Sequence, residues 1–130
     1  MRALIVEDDF TNRMILRGFL SPYGECDIVI DGNEAIQAVK MAWDENKPYD
    51  LICMDIMMPN MDGQEAIEKI REMEVQMGIR QNNKAIIIMT TSRAESDDVK
   101  NAMAAGAAWY LVKPIDRKKL LDKLRELNLI

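Results

Sequence analysis

Four places in this chain put reactive side chains at the end of an apolar run. Glu7-Asp8-Asp9 follows Ala3-Leu4-Ile5-Val6, Asp55 follows Leu51-Ile52-Cys53-Met54, Thr90-Thr91-Ser92 follows Ala85-Ile86-Ile87-Ile88-Met89, and Lys113-Pro114 follows Trp109-Tyr110-Leu111-Val112. Carboxylates crowded together repel, so one of them keeps a proton unless a cation shares the site. Oxygen ligands without His or Cys select a hard ion, and Mg²⁺ is the usual one where phosphate is handled. A lysine supplies a compact positive charge suited to a phosphoryl oxygen, and a threonine hydroxyl can donate a hydrogen bond to another. Together these are the parts of a phosphoryl-transfer site, in which positioning and charge neutralisation carry most of the catalysis. A carboxylate can itself accept the group, as an aspartyl-phosphate.

Such residues act together only if the chain brings them to one place. The apolar runs, with a further one at Ile28-Val29-Ile30, are short and mostly continuous, as parallel strands covered on both faces are. Between them the spacing turns helical. Ala35, Ala38, Val39, Ala42 and Trp43 make one clean face, as do Val99, Ala102 and Met103, and Leu120, Leu121, Leu124 and Leu127. Ile15, Leu16, Phe19 and Leu20 mark a first helix, and Ala66, Ile67, Ile70, Met73 and Met77 a third. Ser21-Pro22 ends the first helix, Asp31-Gly32-Asn33 opens the second, and Ser92 with Glu95 has the spacing of a capping box. The segment from Glu72 to Lys84 is expected to extend the third helix, away from the site. Strict βα alternation with short connections predicts a doubly wound α/β fold, a parallel sheet with helices on both faces. In such sheets ligands bind beyond the carboxyl ends of the strands, so the acids, the hydroxyl and the lysine converge on one rim.

Composition removes most other chemistries. The 130 residues include no histidine, which excludes the commonest general base and any His-held zinc or haem. A net charge of −5 argues against direct nucleic-acid binding. No apolar run approaches the roughly 20 residues of a membrane span, so no membrane insertion is expected and the cytoplasm is the expected location. Cys26 and Cys53 fit a reducing compartment better than a disulfide framework.

The runs Leu4-Ile5-Val6-Glu7-Asp8-Asp9-Phe10, Met54 to Gly63, Met89-Thr90 and Tyr110-Leu111-Val112-Lys113-Pro114 resemble, in order, the four signatures of response-regulator receiver domains of two-component systems. The resemblance covers residues 1–130 as a single receiver domain without an effector domain. It implies a flavodoxin-like (βα)5 three-layer sandwich with strand order 2-1-3-4-5. By the same resemblance Asp55 is the phosphoacceptor. Asp9 is the direct metal ligand, Asp8 binds the ion largely through water, Met57 offers its backbone carbonyl, and Mn²⁺ can substitute for Mg²⁺. Lys113 pairs with the phosphoryl group, and Thr90 and Tyr110 form the switch. Met57 and Ser92 flank the path of hydrolytic water and tune the phosphoryl lifetime, and the peptide before Pro114 is cis. Thr91 stands where the family usually has Ala or Gly and narrows the approach to Asp55.

Simpler readings stand beside these. Asp8 and Asp9 are also plausible helix caps, Thr91 could take the place of Thr90, and Tyr110 could be plain packing. A flavodoxin-like FMN carrier fails because Glu7-Asp8-Asp9 would repel a phosphate. A haloacid-type phosphatase lacks its second acid, since Met57 stands two residues after Asp55. The expected protein is thus a signalling receiver that catalyses only its own phosphorylation and dephosphorylation, not a turnover enzyme. The expected donor is a sensor histidine kinase, a histidine phosphotransfer protein or a small phosphodonor. Output is expected through an unidentified downstream protein, as a monomer or as a phosphorylation-promoted dimer through the last helix–strand–helix face. The alternative is a phosphorylation-independent binding scaffold.

Overall fold

Each apolar run becomes a strand and each amphipathic stretch a helix. The structure, a computed structural model, describes residues 1–58, 61–93 and 97–130. Along the chain lie β1 (Arg2–Val6), α1 (Phe10–Leu20), β2 (Glu25–Val29), α2 (Gly32–Asp44), β3 (Leu51–Asp55), α3 (Gly63–Gln76), β4 (Ile86–Thr91), α4 (Asp97–Ala105), β5 (Trp109–Val112) and α5 (Arg117–Glu126). The strands pair in parallel in the order β2-β1-β3-β4-β5, as the family resemblance implied.

Strand alternation divides the core between the two sheet faces. Leu4, Val6, Ile52, Met54, Ile87 and Met89 pack beneath α2, α3 and α4, against Val39, Ile67, Ile70 and Ala102. Ala3, Ile5, Leu51, Cys53, Ile88 and Leu111 pack beneath α1 and α5, against Leu16, Leu20, Leu120, Leu121 and Leu124. Central β3 is buried at every residue, whereas the edge strands β2 and β5 are partly exposed.

Aspartates start the helices. Asp9, Asp31, Asp62 and Asp116 each accept the backbone N–H three residues on, opening α1, α2, α3 and α5. The proposed Ser92–Glu95 box falls partly outside the described residues. The stretch after Glu72 does not lengthen α3 beyond Gln76. Gly78 takes a left-handed φ of 71°, a conformation that glycine adopts at no steric cost, and a short 3₁₀ turn at Gln81–Asn83 follows. Buried Glu74 bridges this corner, accepting from Arg71 Nη1 at 2.6 Å and from the Ala85 N–H at 3.1 Å.

Candidate functional site

Sheet register assembles the rim. Val6 pairs with Met54, so the next residues, Glu7 and Asp55, are neighbours, and Asp55 itself pairs with Thr90. By strand alternation all three share a face with Ile5, Cys53 and Ile88. Lys113 follows β5 and reaches back across the strand ends. The start of α3 presses against β3: the Gly63 N–H donates to the Ile56 carbonyl at 2.8 Å, and a Cβ on Gly63 would meet the Asp55 carbonyl oxygen at 2.7 Å. Glycine is required there because helix and strand end share that space.

Charge is concentrated and largely dry. Lys113 Nζ lies 3.2 Å from Asp55 Oδ2 and 3.2 Å from Glu7 Oε2, and the Glu7 and Asp55 side chains are 1% and 8% exposed. Glu7, Asp8 and Asp55 can each turn a carboxylate oxygen to within 4.8 Å of the others, the separation of ligands around one ion. Burial, and then the neighbouring Asp55, raise the Glu7 carboxyl above its usual range, with Lys113 opposing. Burial works against the Lys113 ammonium, but Asp55 and Glu7 outweigh it and hold its pKa above the usual lysine value. Asp55 Oδ1 accepts the Met57 N–H at 3.2 Å. The Thr90 hydroxyl beside it is buried and has no hydrogen-bond partner among the described residues. A buried unpaired hydroxyl is costly, and it suits an oxygen-rich ligand that arrives later.

A family model described as the response regulator receiver domain matches residues 3–125. The chain belongs to that family. Among curated relatives, the chemotaxis protein CheY of Treponema pallidum is 37% identical over 125 residues, covering 95% of this chain and 79% of the relative. The chain spans only 12% of a probable histidine kinase of Oryza sativa subsp. indica, to which it is 33% identical over 132 residues. The receiver domain of Saccharomyces cerevisiae Ssk1, solved with the histidine phosphotransfer protein Ypd1, superposes with a TM-score of 0.82 at 31% identity, covering 97% and 87% of the two chains. The receiver of the Pseudomonas aeruginosa sensor kinase PA1611, solved with magnesium in its active-site cleft, gives 0.76 at 31% identity, covering 96% and 94%.

Within this receiver the expected residues divide. Asp8, Asp55, Thr90 and Lys113 stand at the rim. Asp9 does not join the acidic group, a correction to the expected ligand set. It is exposed, and its carboxylate accepts the Asn12 N–H at 2.9 Å as the cap of α1. Glu7 takes its place, because the residue directly after Val6 is the one that the register sets beside Asp55. Alternation carried one residue further along β1 puts Glu7 on the face of Ile5, and the pairing of β1 with β3 then sets it beside Asp55. Thr91 points to the opposite face, where its hydroxyl is engaged by the Arg93 backbone, accepting its N–H at 3.0 Å. Met57 is 67% exposed and Ser92 is exposed, so neither is packed away. Tyr110 is half-buried on the α4 side and stacks on Trp109, centroids 5.7 Å apart. The Lys113–Pro114 peptide is cis.

Proposed function

We propose that this receiver accepts a phosphoryl group on Asp55 in a Mg²⁺-assisted reaction and uses it to switch protein contacts. The observation that carries the reading is the arrangement around Asp55: Lys113 at 3.2 Å on one side and, on the other, a buried Thr90 hydroxyl without a partner among the described residues. Three carboxylates within 4.8 Å fit a hard divalent ion, Mg²⁺ or Mn²⁺, held by Glu7, Asp8 and Asp55 with the Met57 carbonyl as a further oxygen. When bound, such an ion offsets the negative charge of the carboxylates and the incoming phosphoryl oxygens.

The Asp55 carboxylate oxygen attacks phosphorus. The bond from phosphorus to the donor's imidazole nitrogen breaks, and its electron pair stays on that nitrogen. Lys113 then exchanges part of its contact with Asp55 for a phosphoryl oxygen, and Thr90 donates its free hydroxyl to another. Reversal to a second carrier, or attack by water with cleavage of the aspartyl O–P bond, restores the carboxylate. No external substrate is turned over. The donor is a phosphohistidine protein, a sensor kinase or phosphotransfer domain, or a small acyl phosphate. The Ssk1 receiver, of the same fold, is bound to such a phosphotransfer protein in its crystal, and this supports the partner class. Among the described residues no helix is long and apolar enough to cross a membrane, which is compatible with the proposed cytoplasmic location.

Acetyl phosphate with Mg²⁺ should add one phosphoryl group, detectable by intact mass and released by hydroxylamine. Asp55→Asn should abolish it. A modification that survives in Asp55→Asn would overturn the assignment, and no modification of the parent at all would favour a phosphorylation-independent scaffold.

A further inference from the structure

We infer that Asn12 is a positioning residue, which fixes the rotation of the Glu7 carboxylate and thereby decides which of its oxygens faces a divalent cation. The inference rests on the metal-assisted reading of the site.

A glutamate has one more side-chain torsion than an aspartate, and its last torsion is broad rather than confined to staggered wells. With Glu7 1% exposed, bulk water does not orient it. Protein donors must. Oε1 receives the Asp9 N–H at 3.3 Å, Asn12 Nδ2 at 3.4 Å and Lys113 Nζ at 3.4 Å. Oε2 receives Lys113 Nζ at 3.2 Å, and the Asp55 carboxyl lies within hydrogen-bond reach of the Glu7 carboxyl. The crowded oxygen is therefore Oε1, and Oε2 keeps lone-pair capacity for an ion. Two of the three donors to Oε1 belong to the start of α1. Of these, the Asn12 amide is the one that a side-chain substitution removes. Asn12 is itself anchored, because its backbone N–H donates to the capping Asp9 carboxylate at 2.9 Å. Asp9 thus acts on the site at one remove: it caps α1, the cap fixes Asn12, and Asn12 turns Glu7. Donors behind a ligating carboxylate commonly tune metal affinity in this way.

A loosened carboxylate should harm Mg²⁺ binding more than Ca²⁺ binding, since Mg²⁺ demands near-octahedral geometry and Ca²⁺ tolerates irregular ligands. Calorimetric titration of the full chain with each ion is the test. Asn12→Ala and Asn12→Leu, the second of similar volume without the donor, should each lower Mg²⁺ affinity about fivefold, the loss expected for one modest hydrogen bond. Ca²⁺ affinity should fall less than about twofold. Metal-free melting temperatures of parent and variants identify any loss that comes from the fold alone. Unchanged Mg²⁺ affinity in both variants, or equal losses for the two ions, would overturn the role of Asn12. A parent that binds neither ion would overturn the metal reading and this inference with it, and that outcome is visible in the parent alone.

Discussion

Glu7 carries a carboxylate where water does not reach, beside a second carboxylate and one lysine. Burial first, and Asp55 second, raise its pKa above the ordinary 4.5. The folded protein therefore holds that proton more tightly than the unfolded chain does. The associated stability is fully present below about 4.5 and is lost as pH rises through the raised value. In urea titrations without metal, the parent should lose stability relative to Glu7→Gln between pH 4.5 and neutrality. Parallel curves would remove Glu7 as the source. Added Mg²⁺ should raise the melting temperature of the parent and of Asp9→Asn, because asparagine caps a helix as aspartate does, but not that of Glu7→Gln. A loss of the Mg²⁺ effect in Asp9→Asn instead would return Asp9 to the ligand set.

At the same scale, Met57 donates its backbone N–H to Asp55 and is itself 67% exposed at the rim. A thioether is only a weak acceptor, poorly suited to orient water for in-line attack on the proposed aspartyl-phosphate, and its bulk would stand in the path of that water. Phosphate release from the purified phosphoprotein should therefore be slow, and Met57→Asn should speed it by several-fold. An unchanged or slower rate in that variant would remove Met57 from the control of lifetime.

Among the elements, α3 lies tight against the end of β3 at the site. A methyl group on Gly63 would meet the Asp55 carbonyl oxygen at 2.7 Å, the Met89 Cε at 2.8 Å and the Ile56 Cα at 2.9 Å. Two of these are backbone atoms that cannot move without displacing Asp55. Gly63→Ala should cost about 1–3 kcal/mol by overpacking and slow phosphorylation as well. Gly18 has open space around an added Cβ and serves as the control helix position. Equal stability of Gly63→Ala and Gly18→Ala in denaturant titrations would show that the contact is readily relieved. A second fixed point lies further along α3, where Arg71 donates to the Gly106 carbonyl at 2.9 Å and pairs with buried Glu74. This ties α3 to the turn between α4 and β5.

Across the whole molecule, Lys113 joins three strands by contacting acids on β3 and just after β1 from its own place after β5. Phosphorylation would compete for that lysine and for the Thr90 hydroxyl, so its effects should be felt first in β4 and β5. The two packings of such a switch differ by the phosphoryl contacts that only one of them makes. Beryllofluoride with Mg²⁺, a mimic of the phosphoryl group, should shift backbone amide resonances mainly between Thr90 and Leu121, with Tyr110 among them. Shifts confined to the loops after β1 and β3 would mean that the surface of α4, β5 and α5 does not respond.

The order of strands and helices, their amphipathic faces and the convergence of acids, hydroxyl and lysine on one rim could all be read from the linear chain. Local periodicity and the carboxyl-end rule for parallel sheets suffice for them, whereas the roles of Asp8, Asp55, Thr90 and Lys113 at that rim came with the family resemblance. Three features needed the folded molecule. Glu7 and Asp9 are both acids within two residues of a strand end, and only the register of β1 against β3 makes Glu7 the neighbour of Asp55 while the first turn of α1 takes Asp9 as its cap. Thr90 and Thr91 are the same residue type, and the pairing of Asp55 with Thr90 sends one hydroxyl to the rim and the other to the Arg93 backbone. The Asn12 contact with Glu7 joins a helix turn to a strand end, and no periodicity records it. A strand's pattern tells which side chains share a face. Which of two adjacent acids or hydroxyls meets a particular partner depends on how strands align, and long-range pairing alone determines that alignment.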